Sequence, residues 1–427
     1  MRDLTFSSGG LKFDYLVTYP ERTKTVPPKK IILPLKQDIS KELNLVVSKG
    51  ASVKAGDVIA EGNEAFLISP IDGKVIQIIE NVQTHWGDTC RAIEIESFEK
   101  NIFPRDFRGD GGILKNLIQA GIIDYQEVPR SLFSKLVLAQ KSKVNTIIIN
   151  GLEEIISHGK YYYYLAKQIS IIEQGIKSIK EIFNVDKVIL ALYNDYKTLD
   201  NVYDLKDLLD IDIVFLKKKY PQHHSNILVR TILKKDIPLG KTIEEVAQVS
   251  IINLETIYHL GILASGFLPY RDKVVTVIKG DIKDTELVET VIGASIKEIL
   301  ESLNVKIDNI SKIVVNGCIG GSALTTFEYP ITKDMTSIFL IYKDSEVYFE
   351  DSVCIKCGLC VDVCPMNLMP LFLYGYAQSN IWDFVEKFNV QSCIECGCCA
   401  YVCPVNIPIP QWIKYAKANL KNKRSDT

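Results

Sequence analysis

The sequence predicts a multidomain protein in which α/β and α+β domains follow one another. Short apolar runs separated by Gly and Pro fill residues 1–105, and strand-like and helix-like patterns then alternate over residues 106–268. Nine of the eleven cysteines lie between residues 354 and 403. The 427 residues are enough for several domains with cores of their own.

The overall composition argues against several classes of protein. Fifty basic residues stand against 52 acidic ones, so the charge balance supports neither a nucleic-acid partner nor a basic membrane-binding surface. The first residues lack a basic segment followed by an apolar run, and no stretch of about 18 apolar residues occurs. We therefore expect no signal peptide and no transmembrane segment, and we expect the chain to lie in the cytoplasm.

The N-terminal region has the pattern of an all-β domain. Short apolar segments at residues 30–35, 45–50 and 57–60 alternate with Gly and Pro. Residues 53–60 together with residues 70–75 are typical of a barrel-sandwich of the lipoyl or biotinyl kind. Lys74 would be the carrier lysine of such a domain, but its flanks do not resemble an acceptor motif, and an exposed turn residue is the better interpretation.

Strand and helix patterns alternate in the second region. Strand-like runs at residues 145–150, 187–192 and 212–216 are separated by helical periodicity, notably over residues 158–183. This alternation predicts a mostly parallel sheet, whose ligands would lie at the carboxyl ends of its strands. The four consecutive tyrosines at 161–164 could form an aromatic binding surface, although packing explains them more simply.

Residues 269–348 return to a β-rich pattern. Strand-like runs at residues 274–281 and 312–317 flank a short helix predicted at residues 295–303. The pattern predicts a compact α+β insert without a recognisable group of ionisable residues. Cys318 is interpreted here as a small buried residue.

The remaining cysteines form two runs of the pattern C-x2-C-x2-C-x3-C-P. A cubane iron–sulfur cluster needs four thiolates, and in two-cluster ferredoxins each run gives its fourth cysteine to the other cluster. Structural zinc uses paired C-x2-C knuckles, and disulfide frameworks belong to small secreted domains, so neither alternative fits. We predict two 4Fe-4S clusters, the first held by Cys354, Cys357, Cys360 and Cys403, and the second by Cys393, Cys396, Cys399 and Cys364.

Neighbouring residues fit these two runs. Pro365 and Pro404 prevent helical continuation after each fourth cysteine, and Gly358 and Gly397 allow the loops to approach inorganic sulfide. Cys398 is surplus, and the choice between it and Cys399 as a ligand stays open. The cluster potentials also stay open, because the motif alone does not fix them.

Several segments resemble the RnfC subunit of the Rnf electron transport complex, a membrane-associated machine that couples ferredoxin and NAD to ion pumping. The matching segments are Ser8-Gly9-Gly10, residues 32–37, residues 148–151, residues 330–333 and, most specifically, residues 393–404. The resemblance covers nearly the whole chain. It implies a barrel-sandwich at 1–105, a Rossmann-like α/β domain similar to the complex I flavin subunit at 106–268, a β-grasp-like (SLBB) insert at 269–348, and a bacterial two-cluster ferredoxin domain at 349–427.

The resemblance also implies a function and partners. The chain would relay electrons at the cytoplasmic face of a membrane complex, with the other subunits of that complex and a ferredoxin-type carrier as partners. One alternative is a soluble paralogue that delivers electrons to a dedicated reductase of an amino acid or a corrinoid. Another is a scaffold subunit whose clusters are structural.

The flavin elements of the family are largely missing. The family's glycine-rich FMN loop corresponds to residues 124–135, where only Lys135 matches and Asp124 and Glu127 would repel a phosphate. Glu153 keeps the register of the second element, and residues 220–225 replace two glycines of the third with His223 and His224. We therefore predict Lys135 and Glu153 to be remnants of a flavin site, with FMN and NADH binding doubtful. The two histidines are interpreted as solvated loop residues rather than as a metal site.

Overall fold

The computed structural model describes residues 4–13, 22–38, 41–62, 65–107, 111–126, 128–153, 159–345 and 353–425. The N-terminal region forms two small sheets, with strand orders β2-β8-β7-β4 and β3-β5-β6. Their bounds are β1 (Lys24–Thr25), β2 (Lys30–Pro34), β3 (Asn44–Leu45), β4 (Ser52–Val53), β5 (Val58–Gly62), β6 (Ala65–Ile68), β7 (Gly73–Gln83) and β8 (Thr89–Ser97).

Alternating apolar residues explain why these strands stack. Ile31 and Leu33 of β2 pair with Ile95 and Ile93 of β8, and all four side chains are buried. Because side chains alternate across a strand, the intervening residues face outward. The predicted barrel-sandwich is therefore confirmed. Lys74 is exposed near the start of β7.

The second region is built around an all-parallel sheet of order β13-β12-β11-β14. The bounds of its elements are α1 (Ile113–Ala120), β9 (Ile123–Asp124), β10 (Arg130–Ser131), α2 (Leu132–Lys141), β11 (Thr146–Gly151), α3 (Lys160–Lys167), α4 (Ile169–Phe183), β12 (Lys187–Tyr193), α5 (Asp200–Leu209), β13 (Asp212–Leu216), α6 (Ser225–Leu233), α7 (Ile243–Ala247), β14 (Val249–Asn253) and α8 (Leu254–Ala264). Runs of buried Ile and Leu in β11 and β12 are typical of strands covered on both faces.

The helical stretch predicted over residues 158–183 is divided in the structure. Helix α3 ends at Lys167 and α4 begins at Ile169, while residues 154–158 lie outside the described part. Tyr161 and Tyr164 are buried, and the ring of Tyr164 stacks on that of Tyr258 with centroids 4.2 Å apart. The tyrosine run therefore packs largely against the chain's own core.

The third region forms a six-stranded sheet of order β1-β16-β15-β19-β17-β18. Its bounds are β15 (Lys273–Lys279), β16 (Thr285–Thr290), α9 (Ile296–Ser302), β17 (Ile310–Val315), β18 (Ser322–Leu324) and β19 (Ser337–Tyr342). Strand β1 joins β16 in parallel, so the N-terminal segment is part of this sheet. The inner face buries Val275, Val277 and Ile338.

The C-terminal region is helical around the two cysteine runs. Its helices are α10 (Leu359–Asp362), α11 (Pro370–Gln378), α12 (Trp382–Lys387), α13 (Cys398–Tyr401) and α14 (Ile409–Ser425). Leu373 of α11 and Ile413 of α14 lie in one core with Cys360 and Cys399. Short 3-10 helices in the described chain are Asn194–Thr198, Ile307–Asn309, Lys343–Ser345 and Val390–Ser392. Among the described residues, no helix combines the length and the apolar character needed to cross a membrane.

Candidate metal centres and the adjacent cleft

The two cysteine runs adopt the same backbone conformation. Each residue has its counterpart 39 positions later, as Cys354 has Cys393. Lys356 and Glu395 have φ angles of 57° and 55°, and Gly358 and Gly397 have φ angles of 84° and 77°. Positive φ costs glycine little, which explains its place at the turn before each short helix.

The structure brings the predicted ligands together in two sets of four. One small cavity is lined by Cys354, Cys357, Cys360 and Cys403, and another by Cys364, Cys393, Cys396 and Cys399. Each run thus places its fourth cysteine beside the other run. Among the described side chains, no three His, Cys, Asp or Glu residues converge on a site for a single metal ion.

Backbone amides surround the cysteine sulfurs. The N–H groups of Lys356 and Glu395 donate to the Sγ atoms of Cys354 and Cys393, both at 3.4 Å. The fourth cysteines accept in the same way, since the N–H of Leu368 donates to Cys364 Sγ at 3.3 Å and that of Ile407 to Cys403 Sγ at 3.4 Å. Amide donors stabilise thiolate ligands, so these residues fit two 4Fe-4S clusters.

Burial makes a bare thiolate unfavourable at these positions. It raises the pKa of the Cys364 thiol and raises the pKa of Cys393 to about 11. Desolvation penalises the charged form of a group, so the free thiols would stay protonated at neutral pH. Positive charge from iron would be needed to hold these sulfurs as thiolates.

Cys398 and Cys399 face different parts of the molecule. Cys398 is 0% exposed and packs with the core of the parallel-sheet region, whereas Cys399 lies in the ferredoxin-like core together with its counterpart Cys360. A hydrogen bond with the Cys398 thiol lowers the pKa of Cys396. This arrangement supports Cys399 as the ligand and Cys398 as a neighbour that contacts a ligand sulfur.

Two other segments hold the second cysteine loop in place. The Tyr220 hydroxyl donates to the carbonyl oxygen of Cys396 at 2.6 Å. A Cβ atom on Gly397 would lie 2.6 Å from the carbonyl oxygen of Ile319, so only glycine allows this contact. The loops after β13 and β17 therefore both pack on the cysteine loop.

The Ser8-Gly9-Gly10 motif has a structural role that the sequence did not suggest. The N–H of Gly10 donates to the carbonyl oxygen of Val363 at 2.7 Å. Gly9 has a φ of 62°, and a Cβ atom there would lie 2.5 Å from the carbonyl group of Cys364. The motif thus packs directly on the residue predicted as the fourth ligand of the second cluster.

A cleft of about 600 Å³ opens beside the second cysteine loop. Every region of the chain contributes to its lining, and Cys393 and Cys396 line both the cleft and the second cysteine cavity. The other lining residues are Phe13, His85, Trp86, Tyr125, Gln126, Val128, Pro129, Tyr220, Pro221, His223, His224, Ile282, Asn316, Gly317, Cys318, Ile319, Gly320, Gly321, Ser322, Asp334, Ile394, Glu395 and Tyr401.

The lining differs from two sequence-based interpretations. Cys318 is only half-buried and reaches the cleft, so it is not a plain core residue. His223 and His224 are half-buried rather than solvated, and the ring of His224 accepts the N–H of Asn226 as the N-cap of α6. The histidine pair therefore shapes the wall of the cleft.

A buried hydrogen-bonded group forms another part of this wall. Asp334 contacts His85 Nε2 at 2.9 Å and accepts the indole N–H of Trp86 at 3.2 Å. The Tyr329 hydroxyl lies 3.1 Å from His85 Nδ1. Burial alone would raise the pKa of Asp334, but attraction and a hydrogen bond from His85 hold that pKa below its usual value.

Lys135 and Glu153, the two predicted flavin remnants, do not line this cleft. Lys135 Nζ contacts the Asp124 carboxylate at 2.6 Å and also donates to the carbonyl oxygen of Ile251. Glu153 accepts the backbone N–H groups of Gly159 and Tyr161 at 2.7 and 2.6 Å. Burial raises the pKa of Glu153 to about 7, although these N–H groups act in the opposite direction.

Three known domain families match successive parts of the chain. Residues 18–100 match the RnfC barrel sandwich hybrid domain, residues 118–261 the Nuo51 FMN-binding domain, and residues 353–407 the 4Fe-4S dicluster domain. The last match makes the C-terminal region an iron–sulfur domain, in agreement with the two sets of cysteines.

Curated relatives match nearly the full chain. The RnfC protein of the proton-translocating ferredoxin:NAD(+) oxidoreductase complex of Clostridium ljungdahlii is 29% identical over 92% of this chain and 88% of its own. The Na(+)-translocating counterpart of Acetobacterium woodii is 27% identical over 86% and 87%. The chain belongs to the RnfC family. The corresponding protein of an ion-translocating oxidoreductase complex of Methanosarcina acetivorans, 27% identical over 94% of both chains, is a further relative.

A solved structure shares the fold. An NAD+-reducing NiFe hydrogenase in its H2-reduced state superposes with a TM-score of 0.50 at 12% identity. The match covers 72% of this chain and 60% of the hydrogenase chain. At this identity the likeness concerns the fold alone.

The residues of this RnfC family member do not fit the FMN that its central domain match implies. The one cation retained from the glycine-rich loop, Lys135, is paired with the buried Asp124. Among the described residues that line the cleft there is no Lys or Arg, while Asp334 and Glu395 carry carboxylates. A phosphate dianion would meet negative charge on both sides.

Proposed function

We propose that this chain is the electron-relaying RnfC subunit of an Rnf-type ion-translocating oxidoreductase complex. The observation that carries the proposal is the exchange of fourth cysteines, Cys364 and Cys403, between two equivalent ligand loops. We further propose that the parallel sheet is Rossmann-like and the 269–345 region β-grasp-like. When bound, each 4Fe-4S cluster would accept and release single electrons.

The two ligand sets have different surroundings, which gives the relay a direction through the protein. Cys357 is exposed, and the apolar side chains of Val353 and Ile355 beside this set are 83% and 62% exposed. Cys396 of the second set is held by Tyr220 under the parallel-sheet region. The first set would therefore exchange electrons with an external carrier, and the second with whatever lies in the cleft.

We place the chain at the cytoplasmic face of the membrane, bound to the other subunits of the complex. This placement rests on the named function of the relatives, which are subunits of ion-translocating complexes. A ferredoxin-type carrier is the proposed electron partner at the first ligand set. NADH oxidation by this chain is not part of the proposal, because the residues do not fit FMN.

One observation favours a second candidate. Because Asp124 neutralises Lys135, a chain that has abandoned flavin chemistry could deliver electrons to a dedicated soluble reductase. Affinity purification of the native protein separates the two. Co-purification with membrane subunits supports the Rnf complex, whereas recovery with a soluble reductase overturns it in favour of the second candidate.

Iron and sulfide analysis tests the relay directly. Anaerobically reconstituted protein should hold about eight irons and eight acid-labile sulfides per chain. Replacing Cys357 or Cys396 by Ala should each remove about half of the iron, because the two substitutions affect different sets. A stoichiometry near four in the unchanged protein contradicts two clusters, and clusters that no ferredoxin-potential reductant reduces support a scaffold role instead.

A further inference from the structure

The cleft has the size and walls of a site for a flat organic molecule. Its volume of about 600 Å³ lies in the range of small-molecule sites. Trp86, Tyr125 and Tyr220 supply aromatic surface, and Val128 and Ile319 add apolar surface. Aromatic walls favour planar rings, which stack or pack edge-on against them.

The charges of the cleft select against a phosphate. The described lining contains the carboxylates of Asp334 and Glu395 but no Lys or Arg. Its glycines do not form an unfilled anion cradle, since Gly317 donates its N–H to Ser337 Oγ at 3.2 Å. A Cβ atom on Gly321 would lie 2.1 Å from the carbonyl oxygen of Gly317, so close packing accounts for that glycine.

One buried polar atom calls for a hydrogen-bond donor. Gln126 is 8% exposed and lines the cleft. Its Nε2 donates to the carbonyl oxygen of His223 at 2.9 Å, which fixes the amide orientation. Its Oε1 is buried and has no hydrogen-bond partner in the described part of the chain. Leaving a buried acceptor unpaired is costly, so a ligand N–H or O–H group is the natural partner.

We propose that the cleft binds an uncharged planar aromatic ring that carries an N–H or O–H donor and no phosphate. Quinols and flavin-type rings without a phosphate tail share this chemistry. The donor would pair with Gln126 Oε1 and the ring would lie against the loop that carries Cys393 and Cys396. The proposal goes beyond the electron relay, since it assigns a ligand to a site that the relay does not require.

Matched ligands test the missing phosphate. Riboflavin and FMN differ only in that group, and menadiol represents the quinol source. Titration of the reconstituted protein, followed by Trp fluorescence and calorimetry, should detect riboflavin or menadiol, with FMN at least about tenfold weaker than riboflavin. Riboflavin alone identifies a flavin ring, and menadiol alone a quinol. Equal binding of FMN and riboflavin, or no binding of any ring at millimolar concentration, overturns the proposal.

Two substitutions test the residues. Gln126→Leu should weaken binding of the favoured ring by about tenfold, and Val128→Lys should shift the preference toward FMN. Tyr203→Phe, on the exposed face of α5, is the control and should change neither affinity. No effect of either cleft substitution overturns the proposed site. Iron content is measured in each sample, so eight irons without ring binding overturns the cleft assignment alone, and ring binding with four irons overturns the relay alone.

Discussion

The ammonium group of Lys135 lies 2.6 Å from the carboxylate of Asp124, which is 1% exposed. The other carboxylate oxygen accepts the backbone N–H of Asn253 at 2.8 Å and the hydroxyl of Thr256 at 2.9 Å. Asp124 thus binds the N-terminus of α8 and a lysine at once. These are the interactions that an enzyme would offer to a bound phosphate, and here a side chain of the protein takes them.

Removing the Asp124 carboxylate should therefore expose an anion site. Asp124→Gly leaves Lys135 buried and without its carboxylate partner, and we expect a loss of about 3–5 kcal/mol of stability. Inorganic phosphate should restore part of this loss, whereas chloride at equal ionic strength should not. Thermal unfolding with each salt measures the difference.

The matched control is Asp236→Gly, which removes the carboxylate paired with Arg230 at 2.6 Å on the surface. Exposed pairs contribute about 0–1 kcal/mol, so this variant should lose little stability and show no phosphate effect. Similar rescue of both variants by phosphate would mean that Asp124 occupies no specific anion site.

Cys398 and Cys399 should differ in their effect on cluster content. Cys399→Ala should lose about half of the iron, while Cys398→Ala should keep about eight irons per chain. In the second variant Cys396 loses its thiol neighbour, so the reduction potential of one cluster should fall, since hydrogen bonds to cluster sulfur raise the potential. Iron analysis and a redox titration followed by electron paramagnetic resonance measure both. Iron loss in Cys398→Ala with full iron in Cys399→Ala would reverse the ligand assignment.

The sequence predicted features that depend on local spacing. The eight predicted ligands follow from two repeated motifs, and the strand predicted at 212–216 coincides with β13. The cleft could not be predicted, because it forms where distant segments meet: His85 reaches Asp334, and Gly9 packs on Cys364. Nothing in a single sequence indicates such contacts, and for the same reason His223 was misread as a solvated residue.

Two glycines allow α4 and α8 to pack closely, and their substitution should destabilise the parallel-sheet region. A Cβ atom on Gly261 would lie 1.9 Å from the carbonyl oxygen of Ile171, and one on Gly175 would lie 2.0 Å from that of Ile257. Gly261→Ala must push the two backbones apart, so we expect a loss of at least about 1–3 kcal/mol.

Gly375 in α11 provides the control for this prediction. It is also helical, but a Cβ atom there meets no heavy atom within 4 Å. Gly375→Ala should be neutral or add about 0.5–1 kcal/mol, because alanine favours the helix. Urea denaturation of both variants gives the comparison. Equal stability of the two variants would show that α4 and α8 separate without cost.

The raised pKa of Glu153 predicts a dependence of stability on pH. Its pKa rises by burial from 4.5 to about 7 on folding. A group with a raised pKa in the folded state stabilises it fully below the unfolded pKa and loses that contribution as pH rises to the folded pKa. Between pH 4.5 and 7 the wild type should therefore lose on the order of 3 kcal/mol relative to Glu153→Gln, which cannot ionise.

Denaturant unfolding of both proteins across this pH range measures the difference, with the iron–sulfur domain in the same state in each. Glu181→Gln is the control, since Glu181 in α4 shows no such burial and should give a curve parallel to the wild type. A constant difference between wild type and Glu153→Gln from pH 4.5 to 7 would mean that the backbone N–H groups of Gly159 and Tyr161 fully compensate the burial of this carboxyl.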